Sequence, residues 1–156
     1  MAKTIVGIIS DTHGLLRPEA IKALGGSRFI VHGGDVGNEE ILSTLAAIAP
    51  VTVVRGNTDY DPWARRLPRT AVLDVDGIRI YAVHDIANLD IDPPAAGVNV
   101  VVFGHSHQPA IEERGGVMYL NPGSAGPRRF DLPVSVARLA IDNGAATAEI
   151  VEITPQ

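Results

Sequence analysis

The sequence predicts an α/β fold, a layered sandwich built on two β-sheets, from three observations. Its first half alternates short Val- and Ile-rich runs with amphipathic stretches, the pattern of βαβ units in a parallel sheet with right-handed crossovers. Its second half pairs apolar runs around two-residue turn sequences, the pattern of antiparallel hairpins. At 156 residues, 46% hydrophobic and 20% charged, the chain can bury one core and is too short to expect two, so a single domain over residues 1–156 is expected.

Five segments, Ile5 to Ile9, Phe29 to Val31, Val51 to Val54, Arg79 to Val83 and Val100 to Phe103, are short, apolar and rich in β-branched residues, and read as buried strands. A helix is predicted over Pro18 to Leu24, with proline at its first position and Gly25 as its stop. A second starts at Asn38, whose side chain suits an N-cap. Glu39 and Glu40 complement its positive end, Ile41, Leu42, Leu45, Ile48 and Ala49 form one apolar face, and Pro50 closes it. Beyond Ala49 only a turn near Asp61 to Arg66 is expected to coil. Asp76-Gly77, Gly115-Gly116 and Asn143-Gly144 predict tight turns between extended pieces: Ala71 to Val75 with Ile78 to Val83, the two parts of Glu112 to Tyr119, and Val134 to Ile141 with Ala148 to Ile153.

Composition narrows the chemistry. A net charge of -5 gives no broad electrostatic reason to bind nucleic acid or an anionic membrane. The absence of cysteine removes disulfides, thiolate zinc sites and thiol catalysis together, so any metal must be held by oxygen and imidazole nitrogen. No apolar run has the length of a membrane span and the start does not read as a signal peptide, so a cytoplasmic protein is expected.

The functional information lies in the segments at the strand ends. These are "SDTHG", "HGGDVGN", "RGNTDYD", "HDIAN", "GHSHQP" and "NPGSAGPRR". Carboxyl ends of parallel strands gather along one edge of a sheet, where open α/β sheets bind ligands. Asp11, His13, Asp35, Asn57, His84, His105 and His107 would meet there, with glycines letting backbone come close. Each motif alone has an ordinary explanation, a capped turn or a strand-end histidine. Jointly, carboxylates and imidazoles crowded together without a cation would repel or lie unsatisfied. Seven ligands exceed the needs of one metal and suit two ions about 3.5–4 Å apart that share a carboxylate.

In this order and over residues 10–124, the motifs resemble those of the calcineurin-like metallophosphoesterases, above all their small bacterial and archaeal phosphodiesterase branch. The resemblance implies a four-layer α-β-β-α sandwich with two mixed sheets. It also implies that Asp11, His13, Asp35 and His107 bind a first metal, and that Asp35 bridges to a second held with Asn57, His84 and His105. The implied activity is phosphodiester hydrolysis by hydroxide bridging two divalent ions, which lower the pKa of water from 15.7 toward about 7. Mn is the leading metal by resemblance, with Ni, Zn or Fe compatible with the same donors. The catalytic candidates are Asp35, Asn57, Thr58 and Asp59.

Departures from the family pattern bear on substrate. Many members carry a histidine where Thr58 stands, before an acidic residue that Asp59 retains; a threonine hydroxyl donates a hydrogen bond but is no general acid near neutral pH. Asp85, where glycine often comes after the metal histidine, either orients His84 or meets solvent. The stretch between His84 and Val100 is short for the helix that many relatives place there. Arg128 is a weak candidate for a phosphate contact. His32 reads as a supporting or packing residue, Trp63 as packing, and Arg65, Arg66 and Arg69 as a solvated basic run.

The expected partner is a small phosphoester. Homo-oligomerisation through an exposed edge such as the Ala71 to Val83 hairpin stays open. Alternatives are a phosphomonoesterase or nucleotide pyrophosphohydrolase using the same centre, and a non-catalytic scaffold similar to the retromer subunit. Retention of all seven ligands favours an enzyme.

Overall fold

A computed structural model describes residues 3–153. The elements run β1 (Thr4–Ile9), α1 (Pro18–Ala23), β2 (Phe29–His32), α2 (Glu39–Ala46), β3 (Val51–Val53), β4 (Thr70–Val75), β5 (Ile78–Val83), β6 (Val100–Val102), β7 (Ala110–Arg114), β8 (Val117–Asn121), β9 (Val134–Asp142) and β10 (Ala145–Ile153). They form two five-stranded sheets, β10-β9-β1-β2-β3 and β4-β5-β6-β8-β7. Both are mixed. Strands β1, β2 and β3 are parallel in the first, and β5, β6 and β8 in the second, with antiparallel pairs at the remaining joints.

The turn sequences explain the antiparallel pairs. Asp76-Gly77, Gly115-Gly116 and Asn143-Gly144 all have positive φ at both positions, the backbone that matches strand twist across a two-residue loop. In the first half, Asn38 caps α2 by accepting a hydrogen bond from the Ile41 amide at 3.2 Å. Helix α1 stops at Ala23, one residue before its predicted end, and the left-handed turn falls at Gly26 rather than Gly25.

Strand β1 is central and buried on both faces. Val6 and Ile8 join Val31, Ile80, Val100, Val102 and Leu120 between the sheets. Ile9, with Ile30 and Val136, packs against Leu24, Ile41 and Leu45 from the helical side. Each fully buried side chain of this kind contributes about 1.5–3 kcal/mol, which holds the two sheets in fixed relation. The outer face of the second sheet is covered differently. A short 3-10 turn, Ile86–Asn88, and the loop after it bring Ile86, Leu89, Ile91 and Val98 over Tyr81, Val83, Val101 and Val117. The fourth layer is therefore an irregular strap, as the short His84 to Val100 stretch predicts. No helix among the described residues is long and apolar enough to cross a membrane.

Candidate metal centre

The loops that leave the carboxyl ends of β1, β2, β3, β5 and β6 meet at one edge, and their backbone is unusual. Of the eight described non-glycine residues with positive φ, five are Asp11 (55°), His13 (45°), Asp35 (57°), His105 (72°) and His107 (62°). Such conformations cost on the order of 1–3 kcal/mol each and persist only where surrounding structure imposes them. Here it does. Amides of Asp11, His13 and Gly14 donate to the carbonyls of Gly34, Asp35 and Val36 at 3.0, 2.9 and 2.9 Å, lacing the first loop to the second. Ser124 Oγ donates to the Asp11 carbonyl at 2.9 Å, and Asn121 Nδ2 to the Gly104 carbonyl at 3.2 Å. Gly104 packs so closely on Ser10 and Asp11, and Gly56 on Asp35, that a Cβ at either position would collide with them.

Two overlapping groups of donors result. Asp11 Oδ1 lies 3.3 Å from His107 Nε2 and 3.5 Å from His13 Nε2, and the two imidazole nitrogens are 3.3 Å apart. Asp35 Oδ2 lies 3.1 Å from His84 Nε2 and 3.6 Å from His13 Nε2, between the groups. At the rim, His105 Nδ1 approaches Asn57 Oδ1 at 3.1 Å, and the His105 ring meets the His84 ring edge-on at 5.3 Å. The carbonyl of Gly33 can only accept, so His84 Nδ1 carries the proton in their 2.7 Å bond and Nε2 faces Asp35.

The electrostatics favour a bound cation. Burial alone would raise the Asp11 carboxyl, yet His107, His13 and His84 beside it hold it well below the usual carboxylate range. Asp35 is treated alike: burial opposes, and His84 together with the Thr58 amide lowers it. Burial alone would lower His84, but the Asp35 and Asp11 carboxylates push it up to about 8. Despite these short distances, Asp11 Oδ1 and His84 Nε2 are buried without a hydrogen-bond partner. Side chains in reach of one another but off the hydrogen-bond direction converge on shared points rather than pairing. Oxygen and imidazole donors so arranged fit divalent metal ions.

The comparison with known proteins decides the family. A model described as the calcineurin-like phosphoesterase superfamily domain matches residues 5–144. The chain belongs to this superfamily. A probable metallophosphoesterase of Methanocaldococcus jannaschii is 34% identical over 89% of this chain and 77% of its own length. Phosphodiesterase YfcE of Escherichia coli is 30% identical over 85% of each chain. Among solved structures, an archaeal phosphodiesterase superposes with a TM-score of 0.78 at 19% identity, covering 95% of this chain and 100% of its own. Vps29 of Chaetomium thermophilum superposes at 0.77, also at 19% identity, covering 98% and 100%. At such identities the superpositions establish the metallophosphoesterase fold and nothing finer.

In this phosphoesterase the remaining candidates take distinct places. Asp59 is buried and its carboxylate is fully occupied: Oδ2 accepts from the amides of Asp35 and Gly56 at 3.0 and 2.8 Å, and Oδ1 from the amide of Val36 at 3.0 Å. It holds two ligand loops together through these amides. Thr58 is exposed, and its amide donates to Asp35 Oδ1 at 2.9 Å. The Asp85 carboxylate makes no hydrogen bond to His84; it caps the following 3-10 turn through the Ala87 amide and lies 3.8 Å from His105 Nε2. His32 is fully buried, with Nδ1 accepting from the Gly34 amide at 3.0 Å. Thr12 Oγ1 gives its proton to the Val36 carbonyl, so His32 Nε2–H donates to it at 3.0 Å and the ring is neutral; burial accordingly lowers it to about 4. Trp63 packs on the helical side of the first sheet.

Two arginines were not among the sequence-predicted site residues. Arg55 and Arg69 line a cavity of about 380 Å³ together with Asn57 and His84, whereas Arg128 is exposed and lies outside that lining. A sequence signal exists for Arg55. It stands between the end of β3 and Asn57, in the segment that carries the ligand candidate out of the sheet.

Proposed function

We propose that this phosphoesterase is a phosphodiesterase that hydrolyses small phosphodiesters at a centre of two divalent ions, Mn foremost and Ni, Zn or Fe by the same donor chemistry. The observation that carries the reading is the convergence of buried, unpartnered Asp11 Oδ1 and His84 Nε2 within one donor cluster. Asp11, His13, Asp35 and His107 would hold one ion, and Asp35, Asn57, His84 and His105 the other. Bound ions would polarise the phosphoester and make hydroxide available near neutral pH.

The chain's own residues do the rest. Asp35 would be the bridge, as the family resemblance implies: Thr58 and Asp59 fix one carboxylate oxygen and the backbone while Oδ2 faces His13 and His84, and Asp11 Oδ1 lies beside it within 3.9 Å of His13, His84 and His107. Gly33 fixes the His84 tautomer so that Nε2 is the ligand atom. Thr58 offers no proton to a departing alkoxide at neutral pH, so esters with good leaving groups are the favoured substrates.

Hydrolysis of bis-p-nitrophenyl phosphate and of p-nitrophenyl phosphate, by metal-stripped protein resupplied with Mn, Ni, Zn or Mg, tests this reading. Metal-dependent turnover preferring the diester is expected. Preference for the monoester would move the assignment to a phosphomonoesterase. A metal-loaded protein without turnover would favour the scaffold reading, which the likeness to Vps29 keeps specific. Metal binding alone does not separate these outcomes, since one Vps29 structure, from Entamoeba histolytica, is described as a zinc complex.

A further inference from the structure

The cavity beside the candidate centre has a charge pattern that bears on the substrate. Arg55 and Arg69 line it from one side of the sequence, after β3 and before β4; Asp85 and Asp90 line it from the loop after β5. The arginine–carboxylate pairs among the described residues are Arg79 with Asp74 and Arg114 with Glu112, so these four charges do not neutralise one another. Arg55 uses its Nε on the Asp59 carbonyl at 3.3 Å, and Asp90 accepts from the Tyr81 hydroxyl at 3.4 Å, which steadies one charge on each side. The lining thus presents two guanidinium donors and two carboxylate acceptors, whose formal charges sum to zero.

Three kinds of substrate arm can be weighed against that lining. An aryl or alkyl arm would strip water from four charged groups and return no hydrogen bonds, which is costly. An arm carrying its own phosphate or carboxylate would meet two arginines but also two aspartates. An uncharged arm rich in hydroxyls satisfies both sides, donating to carboxylates and accepting from guanidinium groups. The volume of about 380 Å³ holds a group of sugar or nucleoside size.

Resting on the phosphodiesterase reading, we infer that this cavity selects phosphodiesters in which one ester arm is an uncharged, hydroxyl-bearing alcohol, with Arg69 and Asp90 as specificity-determining residues. The test uses p-nitrophenyl phosphodiesters that differ only in the second arm: uridine joined through its primary hydroxyl, glycerol, phenyl or p-carboxyphenyl. The uridine or glycerol ester is expected to have the lowest KM. An equal advantage for both assigns recognition to the hydroxyls; an advantage for uridine alone assigns it to the nucleoside.

Arg69→Ala, an exposed position whose loss leaves the core intact, is expected to cut the uridine-to-phenyl ratio of kcat/KM roughly tenfold, entering through KM. Asp90→Asn leaves the lining with net positive charge and should raise kcat/KM for the p-carboxyphenyl ester relative to phenyl. Equal KM across the arms, a wild-type preference for the p-carboxyphenyl arm, or a ratio that Arg69→Ala leaves unchanged would overturn the inference. If none of the esters is turned over, the phosphodiesterase reading fails separately, and calorimetric binding of uridine monophosphate against phenyl phosphate reads the cavity itself. Tighter binding of uridine monophosphate that Arg69→Ala abolishes upholds the recognition; equal binding overturns it.

Discussion

Within the candidate centre a deep group of donors, which cuts across the two proposed ions, and a rim pair are held in opposite ways. Asp11, Asp35, His84 and His107 have side chains at most 5% exposed, on loops laced together by backbone hydrogen bonds. His105, by contrast, has its side chain 46% exposed, and its neighbour Asn57 is also exposed. The difference teaches that the deep donors are preorganised by burial and backbone hydrogen bonds, since left-handed backbone is common to both groups, His105 at 72° included. An ion drawing on His105 and Asn57, as proposed for the second, would have to order two solvated side chains on binding and would therefore be the more weakly held.

The largest effect that would break this comparison is removal of the shared group. Asp35→Ala is expected to lower kcat/KM by at least about a thousandfold and to reduce occupancy of both metals, read by turnover and metal content. Two metals retained at full rate would refute the bridge. Next in size, His107→Ala should abolish the tighter of two binding steps in a metal titration, a loss of at least about a hundredfold in affinity, whereas His105→Ala should weaken only the looser step. Equal effects on one step would mean that depth does not set affinity.

Asp59→Asn sharpens the comparison by leaving every donor in place. An amide cannot accept from three backbone N–H groups as the carboxylate does, and its own NH2 would face a donor. A loss of roughly 2–4 kcal/mol in denaturant unfolding is expected, with weaker binding at the deep donors.

The smallest expected effect is the pH dependence of metal-free protein. His84 is raised from 6.5 to about 8, so the stability it contributes is complete below pH 6.5 and is lost as pH rises through about 8. This amounts to on the order of 1–2 kcal/mol. Asp11 and Asp35 are lowered, so their share is present above the ordinary carboxylate range and lost as pH falls below it. Saturating metal should reverse the slope near pH 7 to 8, because ions compete with the proton on His84. Thermal unfolding across pH, with and without metal, reads both.

Much of the fold was legible because local chemistry and global arrangement agree. Asn-Gly, Asp-Gly and Gly-Gly turns admit few backbones, and Asn38 followed by two glutamates leaves little choice but a helix start. The predicted strand at Val51 to Val54 shows what was not: it ends at Val53, and Val54 keeps only its amide bond to the His32 carbonyl, at 3.2 Å, as the chain leaves the sheet. Roles divided the same way. Thr58 and Asp59 are adjacent in sequence, yet one is exposed and the other buried under three amides. Nothing in the order of residues distinguishes an acid that faces a substrate from one that holds two loops together, because that depends on which backbone amides a neighbouring loop delivers.

By itself the sequence determined the donor set, the strand ends that carry it and the superfamily, since ligand chemistry and turn chemistry are properties of residue type and spacing. Only the tertiary structure decided which donors are deep and which lie at the rim, that five of them sit on left-handed backbone, and that Arg55 and Arg69 share a cavity with Asn57 and His84. These are contacts between segments distant in the chain. They are set by how the two sheets pack, a long-range outcome that no local pattern encodes.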